Sequence, residues 1–110
     1  MPTAFPRHTP VDHTPRERTS VVVDDEGSID ALQAISSSTA QQILAALDEP
    51  ATASDVAAGI DTSVQNATYH LDRLCEAGLV EAVDTWYSPK GTEMTVYALA
   101  TEEFVVRLTR

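Results

Sequence analysis

Long apolar runs are missing from this chain: no stretch of about 18 apolar residues occurs, and Met1 to Ser20 lack the apolar core of a secretory signal. The expectation is a cytoplasmic protein with no membrane segment. Cysteine is nearly absent as well. Cys75 stands alone, which excludes an internal disulfide, and its place in an apolar helical pattern marks a packed, inert thiol rather than a redox sensor. There is no glycine-rich phosphate loop, no Ser or Cys nucleophile beside a base, and no carboxylate pair in an apolar setting. The sequence therefore offers no enzyme and calls for no cofactor. It also has no internal repeat, so its 110 residues, 43% of them hydrophobic, have room for one cooperative domain with tails.

Basic side chains are equally scarce. Seventeen Asp and Glu stand against seven Lys and Arg, with Lys90 the lone lysine, for a net charge of -10. Nucleic-acid binders normally carry the opposite sign. The composition resembles that of proteins from salt-loving archaea, where molar salt shortens the Debye length to roughly 3 Å and mutes self-repulsion, so that an acidic protein still approaches a phosphate backbone.

Along the chain, Pro2, Pro6, Pro10 and Pro15 gather near the start with Arg7, His8, His13, Arg16 and Arg18, and no apolar period survives there. Residues 1–27 read as a disordered or extended tail, with Val21-Val22-Val23 as its one apolar run and Asp24-Asp25-Glu26-Gly27 as an acidic turn. His8 and His13 lack evident partners. Ser28 is placed to cap a helix whose apolar positions are Ile29, Leu32 and Ile35, and Ser36-Ser37-Ser38 breaks it. A second helix carries Ile43, Leu44 and Leu47 and ends at Asp48-Glu49-Pro50. Thr52 and Asp55 make a capping box for a very short helix that runs to about Gly59. Ser63 caps a fourth helix with Val64, Ala67, Leu71, Leu74 and Cys75 on its inner face, and Gly78 stands where a left-handed cap is wanted. Leu79 to Trp86 and Met94 to Leu99 alternate around the turn Ser88-Pro89-Lys90-Gly91, which predicts a hairpin. Thr101-Glu102-Glu103 opens like a helix while Phe104-Val105-Val106 favours a strand; the balance tips to helix.

The fold class that follows is mainly α with a small β-hairpin: a winged helix-turn-helix over 28–100, with 101–110 as a C-terminal segment and candidate dimerisation element. A short helix, a tight turn, a longer helix and a Lys-Gly-tipped hairpin are the parts this fold sets on duplex DNA, one helix in the major groove and the wing on the flanking backbone. On a helical wheel the fourth helix turns Gln65, Asn66, Tyr69 and Arg73 outward, bordered by Thr68 and His70. Amide side chains match adenine N6 and N7, arginine suits phosphate or guanine, and a tyrosine can stack or bond to phosphate. A merely solvated helix in so acidic a chain would carry Asp and Glu there, yet Ser63 to Leu71 has none. His70 reads as packed or phosphate-adjacent rather than as a ligand, and Trp86 as a core or interface anchor.

Asp55 to Leu71, continuing through Leu74 to Ala77-Gly78-Leu79-Val80, resembles the helix-turn-helix of ArsR-type winged-helix regulators. Ala31 to Leu44 resembles that family's opening two helices, and Trp86 to Met94 is similar to the wing of haloarchaeal members. The resemblance spans Ile29 to Leu99. It implies a homodimer on a pseudo-palindromic operator, a recognition helix at 63–77 and a wing at 86–94. It also implies DNA contacts by Ser63, Gln65, Asn66, Thr68, Tyr69 and Arg73, with Lys90 and Thr92 on the wing. The family's metal sensors carry a Cys-x-Cys pair on the short helix or Asp and His near the C-terminus. Here Ser54-Asp55-Val56-Ala57-Ala58 holds no thiol and the last ten residues no histidine, so no metal site is expected. The competing expectation is an acidic winged-helix module that docks on proteins without touching DNA; the acidic total favours it and the acid-free start of the fourth helix opposes it.

Overall fold

The computed structural model describes residues 11–23 and 26–109; the rest of the expected tail, including His8, and the acidic pair Asp24-Asp25 lie outside the described residues. Among the described residues the elements follow in the order β1 (Arg16–Val22), α1 (Glu26–Ala34), α2 (Ser38–Ala46), β2 (Ala51–Thr52), α3 (Ala53–Gly59), α4 (Val64–Glu76), β3 (Val80–Tyr87), β4 (Glu93–Leu99) and β5 (Thr101–Arg107). Among the described residues no helix is long and apolar enough to cross a membrane.

The helix boundaries are set by local chemistry. Ser37 caps α2 by accepting from the Ala40 N–H at 3.0 Å. Thr52 and Asp55 close a reciprocal capping box on α3, and Ser63 caps α4 through the Asn66 N–H. Such caps satisfy donors that the first turn leaves orphaned and are worth about 1 kcal/mol each. Two helices end alike. Past α3, Asp61 takes a left-handed φ of 57° and the Thr62 N–H reaches back to the Ala57 carbonyl; past α4, Gly78 sits at φ 79° and Leu79 bonds Leu74. Both are Schellman ends, and the first one turns α3 directly into α4.

Packing centres on α4, against which α1, α2 and α3 all lie. Leu71 and Leu74 are fully buried among Ile43, Leu47, Val56, Ala57, Leu79 and Val80, and burial of each leucine contributes about 2 kcal/mol. The sheet below has the order β2-β4-β3, all antiparallel, with a bulge in β3 between Ala82 and Asp84 that adds local twist to the hairpin. Trp86, 3% exposed, sits opposite Met94 within it. Helices packed around the inner face of α4, followed by this hairpin, make a winged helix-turn-helix.

Several sequence expectations need correction. Ser28 is no cap: it lies inside α1, fully buried, with its hydroxyl donating to the Val23 carbonyl at 2.7 Å. The buried face of α1 is Ser28, Ala31 and Ala34, while Ile29 (51% exposed) and Leu32 (40%) face outward. Small residues at the same spacing let α1 approach α4 more closely than isoleucine and leucine would. Val64, expected in the core, is 49% exposed because it occupies the first position of α4, before the helix meets its neighbours.

The largest differences are at the two ends. Arg16–Val22, read as part of a disordered or extended tail, is a strand, and Thr101–Arg107, read as tending to helix, is another. They pair parallel with each other, Arg18 opposite Glu103 and Val21 opposite Val106, with an Arg18–Glu103 ion pair at 3.2 Å. β-Branched residues in both segments suit a pleated surface, and a partner about 85 residues away in sequence decides between helix and strand. His13 also gains partners: its Nε2 lies 3.0 Å from the Leu99 carbonyl and 3.8 Å from the Glu81 carboxylate.

Candidate nucleic-acid interface

The reversal at Asp61 leads into the N-terminus of α4. Ser63 stands exposed at that end, and its oxygen, already accepting from Asn66, keeps its O–H free to donate outward. Gln65 is exposed in the first turn. Asn66 is half-buried and spends one amide N–H on Thr62 Oγ1 at 3.0 Å, which ties the helix start to the turn and leaves the other N–H and the carbonyl. Four residues on, Tyr69 is 54% exposed. The Arg73 guanidinium donates to its hydroxyl at 3.1 Å and lies 5.8 Å from the ring centroid. Half-buried His70 meets the same ring edge-on, with centroids 5.1 Å apart. Tyr69 is thus braced on two sides and presents its phenol at a set angle.

Not every expected residue lies on this outward stripe. Thr68 faces a cleft of about 210 Å³ that it shares with Thr52, Ala53 and Ser54 of the α3 start and Met94, Thr95 and Tyr97 of the wing. Arg73 also borders a small cavity lined by Asp30, Gln33 and Glu76, so part of its charge looks toward carboxylates.

The wing tip is organised by Ser88, which the sequence marked only as the first residue of the turn. Ser88 exchanges backbone hydrogen bonds with Thr92 and Gly91, and its Oγ accepts from the N–H groups of Lys90 (3.3 Å) and Thr92 (3.1 Å). Gly91 takes φ 83°, a region favourable only to glycine. Together they hold Lys90 and Thr92 out in solvent. Thr62 was read only as part of the turn and Val64 as core. The signal for Thr62 was the Asp-Thr-Ser sequence of the turn; Val64 looked like core because its period matched the inner face.

The electrostatic pattern is uneven. From Ser28 to Ala100 the basic residues are Arg73 and Lys90, against ten carboxylates, yet Thr62 to Leu71 contains no acid. Farther along α4 the field reverses. Cys75, half-buried, is pushed up to about 11 by burial first and then by the charges of Asp72, Glu81 and Glu76. Tyr97 is raised by burial and by Asp72 and Cys75. Among the described residues no three His, Cys, Asp or Glu side chains converge as metal ligands would.

Comparison with known proteins supports the fold. The helix-turn-helix domain family matches residues 35–83. No curated protein matches the chain in sequence. The homodimeric winged helix-turn-helix DNA-binding domain Mb0332 from Mycobacterium bovis, a possible ArsR-family transcriptional regulator, is a similar structure. It superposes with a TM-score of 0.56 at 24% identity, over 68% of this chain and 65% of that one, just under two thirds of its length. Reduced HlyU from Vibrio cholerae gives 0.53 at 22% identity, over 69% and 75%. At these identities the likeness is one of fold. It lends no support to a haloarchaeal origin.

Proposed function

We propose that this chain is a DNA-binding transcription regulator of the ArsR type, acting in the cytoplasm as a homodimer on duplex DNA. The observation that carries the reading is the acid-free, outward stripe at the start of α4 in a protein that is otherwise acidic. Gln65 and Asn66 read base edges in the major groove, Ser63 and Tyr69 bond phosphate, and Arg73 swings from Tyr69 to phosphate or guanine. Val64, exposed at the helix start, meets a thymine methyl. Thr68 and His70 support the flank, while Lys90 and Thr92 place the wing on the neighbouring backbone. The unit that binds is 28–100, and 101–110 serves dimerisation. The homodimeric state of the similar Mycobacterium bovis domain favours the same assembly here.

A gel shift against genomic fragments in molar potassium chloride tests this. The expected result is one preferred fragment, lost in Tyr69→Ala and in Arg73→Ala while both variants stay folded. Unchanged affinity in both at matched salt removes α4 as the reading helix. The net charge of -10 favours a second reading, an adaptor that docks on other proteins, for which no fragment is preferred.

A further inference from the structure

We propose, building on the homodimer reading above, that two copies join by pairing their β5 strands antiparallel across a twofold axis at Val105, fusing two ribbons into one four-stranded sheet. The parallel register of β1 and β5 decides which backbone groups are free. Arg16 lies opposite Thr101 and Arg18 opposite Glu103, and in a parallel pair each residue bonds the neighbours on either side of its partner. The Arg16 N–H accordingly donates to the Ala100 carbonyl at 3.0 Å. Residues 102 and 104 of β5 therefore direct their N–H and C=O groups to β1, and Glu103 and Val105 direct theirs to the opposite edge, where the Glu103 carbonyl also accepts from Thr101 Oγ1 at 2.8 Å and the Val105 groups have no such partner. Among the described residues no strand covers that edge. A lone two-stranded parallel ribbon is a weak unit, and parallel strands are ordinarily found inside larger sheets.

A second copy of β5 fits this edge by charge as well as by hydrogen bonding. With Val105 on the axis, Val105 faces Val105, Phe104 faces Val106 and Glu103 faces Arg107 of the second copy, each hetero-pair occurring twice. Acidic and basic ends of the same strand thus meet with opposite sign, and the half-buried apolar residues meet each other. The ladder stops at Arg107, whose carbonyl already accepts from the Val23 N–H at 2.9 Å. The exposed Val23 and Leu108 flank the seam. The outer edge of β1 lacks this match: antiparallel pairing about Thr19 sets Glu17 against Val21, Arg18 against Ser20 and Arg16 against Val22. β5 is the self-complementary edge.

Sedimentation of the full chain at low salt supplies the test. Glu103→Lys and Arg107→Glu each place like charges opposite one another twice, and each should weaken the dimer about tenfold. An equimolar mixture of the two restores opposite signs at both pairs and should be tighter than either variant alone, short of wild type because Glu103→Lys also loses the ribbon's own pair with Arg18. Val105→Pro removes an N–H that points away from β1, so it should abolish the dimer and leave the ribbon intact, whereas Ile29→Asp on α1 should leave the dimer unchanged. A dimer indifferent to both charge variants, or a mixture no tighter than either variant alone, overturns the β5 seam and leaves the operator reading standing. A wild-type chain that stays monomeric, and binds DNA as a monomer, overturns the seam and the homodimer reading together.

Discussion

The two halves of α4 share one backbone and one buried face but have opposite electrostatic surroundings. From Ser63 to Tyr69 the exposed side chains are uncharged, hydroxyl, amide and phenol with Val64 among them, whereas from Asp72 onward burial and then the charges of Asp72, Glu81 of β3 and Glu76 raise the Cys75 thiol. Their common inner face, Ala67, Leu71 and Leu74, is what keeps them one helix. The difference shows that an acidic protein need not be acidic everywhere. The carboxylate-free part of α4, Val64 to Leu71, covers about two turns, and on the proposed reading this is the surface that meets phosphate.

The contrast can be broken from either end. At the carboxyl end, a thiol moved from 9.0 to about 11 leaves about a hundredfold less thiolate at pH 8. Alkylation of Cys75 by a neutral reagent should be slower than that of a free cysteine by that factor, and Glu76→Gln should speed it; a rate equal to that of free cysteine removes the contrast. Because the folded-state value is the raised one, the stability tied to the protonated thiol is whole below pH 9 and drains away as pH climbs through about 11, which alkaline unfolding curves can follow. At the amino end, Gln65→Glu imports a carboxylate into the neutral stripe. Operator affinity should fall about 30-fold, or ~2 kcal/mol, in a binding titration, with the circular dichroism spectrum unchanged. Ser63→Ala removes the cap that orders this end and should cost about 1 kcal/mol in denaturant unfolding. Smallest is Lys90→Ala on the wing: an affinity loss of about threefold, with the slope of log K against log salt reduced by about 1.

What could be read from sequence was what is decided locally. The capping box at Thr52 and Asp55, the Ser63 cap and the Gly78 terminator each involve residues within a few positions of one another, and each stands where expected. The helix-hairpin order followed from them. α1 was misjudged because two three-residue periods overlap in it. Ile29 and Leu32 outweigh Ser28, Ala31 and Ala34 in hydrophobicity, but close helix packing selects the smaller set. The ribbon was invisible because its strands are stabilised by each other across almost the whole chain, and no window of sequence contains both. The candidate interface was legible as a list of outward residues. Its bracing was not: the Arg73–Tyr69–His70 contacts, the Asn66–Thr62 bond and the Ser88 centre of the wing depend on rotamers and on a loop conformation.

β4 and β5 are nearly one strand. Ala100 alone separates them, held by Leu79 on one side and Arg16 on the other. The upper part of this strand supports the hairpin that ends in Lys90, and the lower part belongs to the ribbon. A torque applied to the ribbon therefore reaches the hairpin at this junction, through Ala100 and through His13, whose Nε2 lies 3.0 Å from the Leu99 carbonyl, while Phe104 rests on the helical core.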